Sequence, residues 1–195
     1  IGPIINAGGR LNYSNYGVKL LSSDDQKIIK DKSIKLIKLN EKRKKIEQNI
    51  LVQINFEKIK KENKNVIIYY NSNLNEGLIG IIASRLKDHF NKPAIVITKS
   101  NNILKGSARS TLAYNIGNLI KQLIDMKIII TGGGHNMAAG FSILKEKINL
   151  LDEFVQNDYS QKVASLSNSS IYEMEISSST INKEFMNNLN RLGPF

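Results

Sequence analysis

Three short segments of this 195-residue sequence carry residue types suited to gripping an anion. The first is Thr131-Gly132-Gly133-Gly134-His135-Asn136-Met137-Ala138-Ala139-Gly140. After a β-rich run, consecutive glycines let the backbone approach a ligand closely and aim N–H groups at it, which suits phosphate. Gly133 and Gly134 are the candidates, and His135 adds a donor when protonated. The same glycines would equally serve a tight packing turn. The second segment is Lys105-Gly106-Ser107-Ala108-Arg109-Ser110. At a strand end, alternation sends Ser107 and Arg109 to one side, so that with Ser110 two hydroxyls and a guanidinium converge on one phosphate. A surface turn with an ordinary salt bridge is the alternative. The third, Gly2-Pro3-Ile4-Ile5-Asn6-Ala7-Gly8-Gly9-Arg10, is a glycine-rich stretch ending in arginine that reads equally as a structural elbow. Arginine is scarce, with five in the whole chain, and Arg10 and Arg109 fall in these segments.

No centre for cleaving phosphate accompanies them. No Gly-Lys-Ser/Thr follows the glycines, and the helix and downstream acid of a dinucleotide fingerprint are missing, so nucleotide triphosphate hydrolysis is unsupported. His89 and His135 lie far apart, no His-Glu-x-x-His pattern occurs, and the adjacent Asp24 and Asp25 diverge from a helix start rather than share a metal. The absence of Cys removes disulfides, thiolate nucleophiles and thiolate zinc sites, and no Ser-His-Asp set is identifiable.

Lys and Arg number 28 against 17 Asp and Glu, and the net charge of +11 favours polyanions such as nucleic acid. A composition saturated with Lys, Asn and Ile produces such a charge without any binding role, so its placement says more. Lys27 to Lys64 holds 13 basic and 5 acidic residues, a net +8 in about a fifth of the chain. That face is either solvated or in contact with DNA. The hydrophobic fraction of 41%, without Trp, supplies a core of Ile and Leu. No run approaches the roughly 20 apolar residues of a membrane span, and the first residues lack a signal peptide's basic start, so the expectation is a soluble, cytoplasmic protein with no membrane partner.

These segments need elements to hold them. Residues 1–23, with four Gly and a Pro, read as loop and short turns. Asp24 to Asn63 has neither, and its apolar spacing marks one helix, capped by Ser22 or Ser23 and about 60 Å long, a connector rather than a domain element. Beyond it the pattern predicts strands at Val66–Tyr70, Ala94–Thr98, Ile103–Ser107, Lys127–Thr131 and Ala139–Ile143, with helices at Gly77–Phe90, Asn115–Ile124 and Ile148–Gln161. The alternation implies an α/β domain with a parallel or mixed sheet. After the polar stretch Ser165–Ser170, a strand at Ile171–Ile176 and a short helix at Asn182–Leu192 are too few to bury a core of their own. Without an initial Met, and ending at Leu192-Gly193-Pro194-Phe195, the chain reads as an internal fragment.

Taken in order, the motifs resemble the C-terminal part of the RecJ single-stranded-DNA exonucleases of the DHH phosphoesterase superfamily. The stretch from Gly2 to Leu11 resembles that family's Gly-Pro-Arg-Leu-Asn-Ala-Ala-Gly-Arg segment. Asn40-Glu41-Lys42-Arg43 with Glu47 resembles its linker helix. Glu76 to Leu86, Gly106 to Ser110 and Gly132 to Gly140 resemble successive motifs of the DHH-associated domain, and Leu189 to Phe195 resembles the opening of an OB-like domain. The resemblance implies residues 1–23 as the end of an N-terminal domain and elbow, and 24–63 as the linker helix. It makes 64–164 the mixed-sheet DHH-associated domain and 165–195 the start of an OB-like β domain. It implies a 5′-to-3′ exonuclease acting on single-stranded DNA in repair and recombination, with Mn²⁺ or Mg²⁺ held by an N-terminal DHH domain absent here and no metal bound by this fragment. Ser107, Arg109 and Ser110 would then hold phosphate, and Gly133, Gly134 and His135 would face the metal centre. Ile4 departs from the family's Arg, which leaves Arg10 as the separate candidate there, and Leu74-Asn75 replaces Trp-His. An oligonucleotide or cyclic-dinucleotide phosphodiesterase of the same superfamily, and a non-catalytic nucleic-acid-binding module, are the alternatives.

Overall fold

The computed structural model describes residues 1–163 and 175–193. The chain divides into two compact units, Ile1–Ser165 and Leu166–Phe195. The first unit opens with three helices, α1 (Gly2–Arg10), α2 (Asn15–Ser22) and α3 (Gln26–Gln53), followed by the short α4 (Phe56–Glu62). It continues as β1 (Ile67–Tyr70), α5 (Glu76–Phe90), β2 (Ala94–Ser100), β3 (Ile103–Arg109), α6 (Ile116–Asp125), β4 (Thr131–His135), β5 (Ala138–Ile143) and α7 (Ile148–Val163).

The five strands form one mixed sheet in the order β1-β2-β3-β5-β4. Only β1 and β2 run parallel, joined across α5 as parallel neighbours require, and every other pairing is antiparallel. Strand alternation divides the core. Ile95 and Ile97 of β2, Leu104 and Ala108 of β3, and Ala139, Phe141 and Ile143 of β5 pack under α6 and α7. Ala94 and Val96 of β2 face the opposite way, against Leu78, Ile82, Ala83 and Leu86 of α5 and Ile50 of α3. On this second face α5 covers β2 and β3. Of the helices, α6 is the one packed on β4 and β5, and it lies on the first face, with Ile120 of α6 against Gly132. The α5-side face of β4 and β5 is therefore left open.

Residues 1–23 are two helices rather than loop and turns. Pro3 occupies the first turn of α1, where its missing N–H costs nothing. Two of the four glycines are there for contact: a Cβ on Gly8 would stand 2.6 Å from the Tyr13 carbonyl oxygen and 3.3 Å from Leu36 of α3, and one on Gly17 would stand 3.2 Å from the Ile5 carbonyl oxygen. The single helix expected over 24–63 breaks after Gln53, leaving α3 about 42 Å long. Ile54 turns into the core, and Asn55 caps α4 by accepting from the Lys58 N–H. Asp25, not Ser22 or Ser23, caps α3 by accepting from the Lys27 N–H, and Ser23 accepts from the Asp25 N–H.

The strand expected at Lys127–Thr131 lies later. The Ile128 and Ile129 N–H groups are tied back to the Leu123 carbonyl of α6, with Lys127 in the left-handed region at φ 55°, and pairing begins only at Thr131. The glycine-rich segment is thus a strand, and the β4–β5 turn is Asn136-Met137. In the second unit α8 (Lys183–Leu192) forms as expected, with Asn182 as its cap. Residues 165–174 and 194–195 of the expected OB-like opening, and with them 171–174 of the strand expected at Ile171–Ile176, fall outside the described residues.

Candidate functional site

On the open face the register brings three rows together. Lys105 stands beside Ser142 and Thr131, Ser107 beside Gly140 and Gly133, and Arg109 beside Ala138 and His135. The middle row contributes one hydroxyl and then bare backbone. A Cβ on Gly133 would meet nothing within 4 Å, and one on Gly140 would meet only the Gly106 carbonyl oxygen at 3.8 Å, so neither glycine serves packing. Above these rows runs a cleft of about 520 Å³, walled by Glu76, Ile79 and Gly80 of α5 and by Arg10 at the end of α1.

The two arginines come from different elements, Arg109 from β3 and Arg10 from the end of α1, and both lie against α5. Arg109 is half-buried, donating from Nη1 to Ser107 Oγ at 3.2 Å and to the Ala108 carbonyl at 2.8 Å. It lies against Gly80, where a Cβ would stand 2.8 Å from its Nη2 and would displace the guanidinium from this position. Arg10 donates from Nη1 to the Gly77 carbonyl at 3.3 Å, and the end of α1 sits so close to α5 that only glycine fits at 77. Burial first, and then the charge of Arg10, pull the Arg109 pKa below the ordinary arginine value. An arginine remains protonated all the same, so the cleft keeps two cations that repel each other. Among the described residues no carboxylate lies within ion-pair distance of either. An anion between them would relieve that repulsion and accept charge-assisted hydrogen bonds from both.

The expected residues divide accordingly. Arg10, Ser107, Arg109 and Gly133 line the cleft. Gly134 alternates to the other face, where a Cβ would run into Ala138 and Ala139. His135 ends the third row, exposed, its Nδ1 accepting from the Met137 N–H at 3.4 Å. Ser110 does not join them: it is 1% exposed, its N–H donates to the Met137 carbonyl and its Oγ to the Tyr114 carbonyl at 2.5 Å. The tyrosine it holds donates in turn to the buried Asp158 of α7 at 2.6 Å, which makes Ser110 a fastening of the β3 end. Lys105, Thr131, Ser142 and Gly80 enter the site unannounced. Alternation back from Ser107 reaches Lys105, but Thr131 and Ser142 follow only from the pairing register. At the departures, Leu74 is buried core and Asn75 caps α5 by accepting from the Gly77 N–H.

No three of His, Cys, Asp or Glu among the described residues gather so as to hold a metal ion. No helix among the described residues is long and apolar enough to cross a membrane.

Residues 63–161, about half the chain, match the DHHA1 domain family. The single-stranded-DNA-specific exonuclease RecJ of Haemophilus influenzae is 34% identical over 154 residues, covering 75% of this chain and 27% of that protein. RecJ of Escherichia coli is 31% identical over 161 residues, covering 78% and 28%. The crystal structure of Thermus thermophilus RecJ in complex with Mg²⁺ superposes with a TM-score of 0.75 at 21% identity, covering 99% of this chain and 30% of that one, a likeness of fold. The chain spans little more than a quarter of the length of these relatives. With its mixed sheet, its glycine strand and its two-arginine cleft in place, the chain belongs to the DHHA1 domain family, and among its relatives stand the RecJ single-stranded-DNA-specific exonucleases.

Proposed function

We infer that this chain is the substrate-gripping part of a 5′-to-3′ single-stranded-DNA exonuclease of DNA repair and recombination, acting in the cytoplasm. The observation that carries the reading is the pair Arg10 and Arg109, facing one cleft without carboxylate partners above a floor of Gly133 and Gly140. Such a floor admits a sugar–phosphate backbone against the sheet, and the guanidinium forks and the Ser107 hydroxyl orient the phosphate nearest the strand end. Residues 1–23 end an upstream domain, 24–63 link it, 64–164 hold the substrate and 165–195 open an OB-like domain. Mn²⁺ or Mg²⁺ is assigned to an N-terminal DHH domain of the same protein, and the residues here bind and orient without cleaving. Exposed Val18 and Leu21 of α2 and Ile34 and Ile37 of α3 support a domain that covers these helices.

Titration of a 5′-phosphorylated oligothymidylate against the chain tests the grip. Arg109→Ala should weaken binding by about 1.5 to 3 kcal/mol, the range for a hydrogen bond to a charged group. Unchanged affinity would remove Arg109 from the site. Clear nuclease activity of the chain alone on adding Mn²⁺ would contradict the division of labour.

A further inference from the structure

The cleft is longer than one phosphate needs. Beyond the arginines and Ser107, on the same face of β3, lies the row Lys105–Ser142–Thr131, and all three residues line the cleft. Alternate residues of a strand are about 6.8 Å apart, so this row stands one such step from Ser107 and two from Arg109. That step is comparable with one nucleotide of an extended single strand. Lys105 donates to the Oγ of Ser142, its buried neighbour in β5, at 2.9 Å. An ammonium has three donors and a hydroxyl both donates and accepts, so two Lys105 protons and the Ser142 proton have no partner among the described residues. Thr131, exposed on edge strand β4, adds a third donor. The cleft's one lining carboxylate is Glu76, in the first turn of α5, next to the Gly77 that Arg10 touches.

The geometry points to a second phosphate subsite, in which Lys105, Thr131 and Ser142 take the backbone phosphate that follows the one held by Arg10, Ser107 and Arg109. The inference rests on the reading of the cleft as a phosphate grip and extends it: the strand lies along β3, across the bare Gly133–Gly140 floor, and the favoured ligand is a chain of phosphodiesters. A mononucleotide fills one subsite and a dinucleotide with its own 5′-phosphate fills both.

Binding of thymidine 5′-monophosphate and of the 5′-phosphorylated dinucleotide pTpT to the full chain separates the two subsites. The unaltered protein should bind pTpT about 3- to 10-fold more tightly than the monophosphate, the range expected from one net hydrogen-bonded contact. Lys105→Ala should lose that gain while holding the monophosphate, and Thr131→Val, on the exposed edge, should lose part of it. Arg109→Ala should weaken both ligands together. Equal loss for both ligands in Lys105→Ala, or no loss for either while Arg109→Ala weakens both, would overturn the second subsite and leave the first standing. Wild-type binding of both ligands by Arg109→Ala would instead remove the grip on which the subsite depends.

Discussion

Gly133 and Gly134 are neighbours of one residue type in one strand, yet they do different things, because alternation turns them to opposite faces of the sheet. A methyl group makes the difference measurable. Gly134→Ala places its Cβ into Ala138 and Ala139 and should destabilise the fold by about 1 to 3 kcal/mol, the range for overpacking, in a urea titration. Gly133→Ala meets open space and should leave stability within about 0.5 kcal/mol. It should instead weaken oligonucleotide binding, because the methyl stands on the floor where a phosphate must approach. The reverse pattern would show that Gly133 is structural and that the floor is not used. Both glycines, along with Arg10, Ser107 and Arg109, are legible in the sequence, since glycine clusters and isolated arginines stand out in a lysine-dominated chain. Ser110 misled because its hydroxyl resembles that of Ser107 until the burial of Tyr114 claims it. No described glycine has a positive φ; Asn12, Asn63, Asn91, Asn101 and Lys127 take the left-handed positions, so none of these turns depends on a glycine.

Between elements, the join of the helical section to the sheet is where a buried charge matters. Glu47 of α3, its side chain 7% exposed, accepts from Arg43 Nη1 at 2.8 Å in its own helix and from Arg85 Nε of α5 at 2.7 Å. Among the described residues this is the one ion pair that ties residues 1–55 to the sheet and its helices. Arg43 and Arg85, with the cleft's Arg10 and Arg109, account for four of the chain's five arginines, consistent with the planar fork being needed where carboxylate or phosphate must be held in a fixed geometry. Glu47→Ala leaves the largely buried Arg43 without its carboxylate and should cost about 3 to 5 kcal/mol, the range for breaking a buried pair. Arg85→Ala removes an arm that is 57% exposed and should cost no more than about 1 kcal/mol. Equal losses in calorimetry would mean that the tie to α5, not burial, sets the energy. Periodicity made most elements legible, since β1, α5, β2, β3, α6, β5 and α7 lie close to where apolar spacing put them. It failed where packing decided the outcome: α1 and α2 form because their glycines seat helix against helix, and β4 starts late because Ile128 and Ile129 are bound to the end of α6.

Over the whole molecule, the excess positive charge and the cleft occupy different places, and salt dependence tells which of them meets nucleic acid. Leu36, Asn40, Glu47 and Ile50 bury one side of α3, so Lys38, Lys42 and Lys45, spaced four and three residues apart, stand on its opposite face. None of them lines the cleft, whose cations are Arg10, Lys105 and Arg109. Each phosphate neutralised on a single strand contributes about −0.7 to the slope of log affinity against log salt concentration. Two phosphates, one held by Arg10 and Arg109 and one by Lys105, therefore predict a slope of about −1.4 for a short 5′-phosphorylated oligothymidylate, and the triple substitution of Lys38, Lys42 and Lys45 by Gln should leave that slope unchanged. Arg109→Ala leaves Arg10 on the same phosphate and should bring the slope closer to zero by less than about 0.7. A slope that instead flattens by about 2 units on removal of the α3 lysines would mean that the strand runs along α3 as well as through the cleft. The separation explains why net charge alone was an ambiguous guide: the densest run of lysine lies on a helix that positions the site, while the cations that enclose the ligand are spread over α1 and β3 and meet only through the fold.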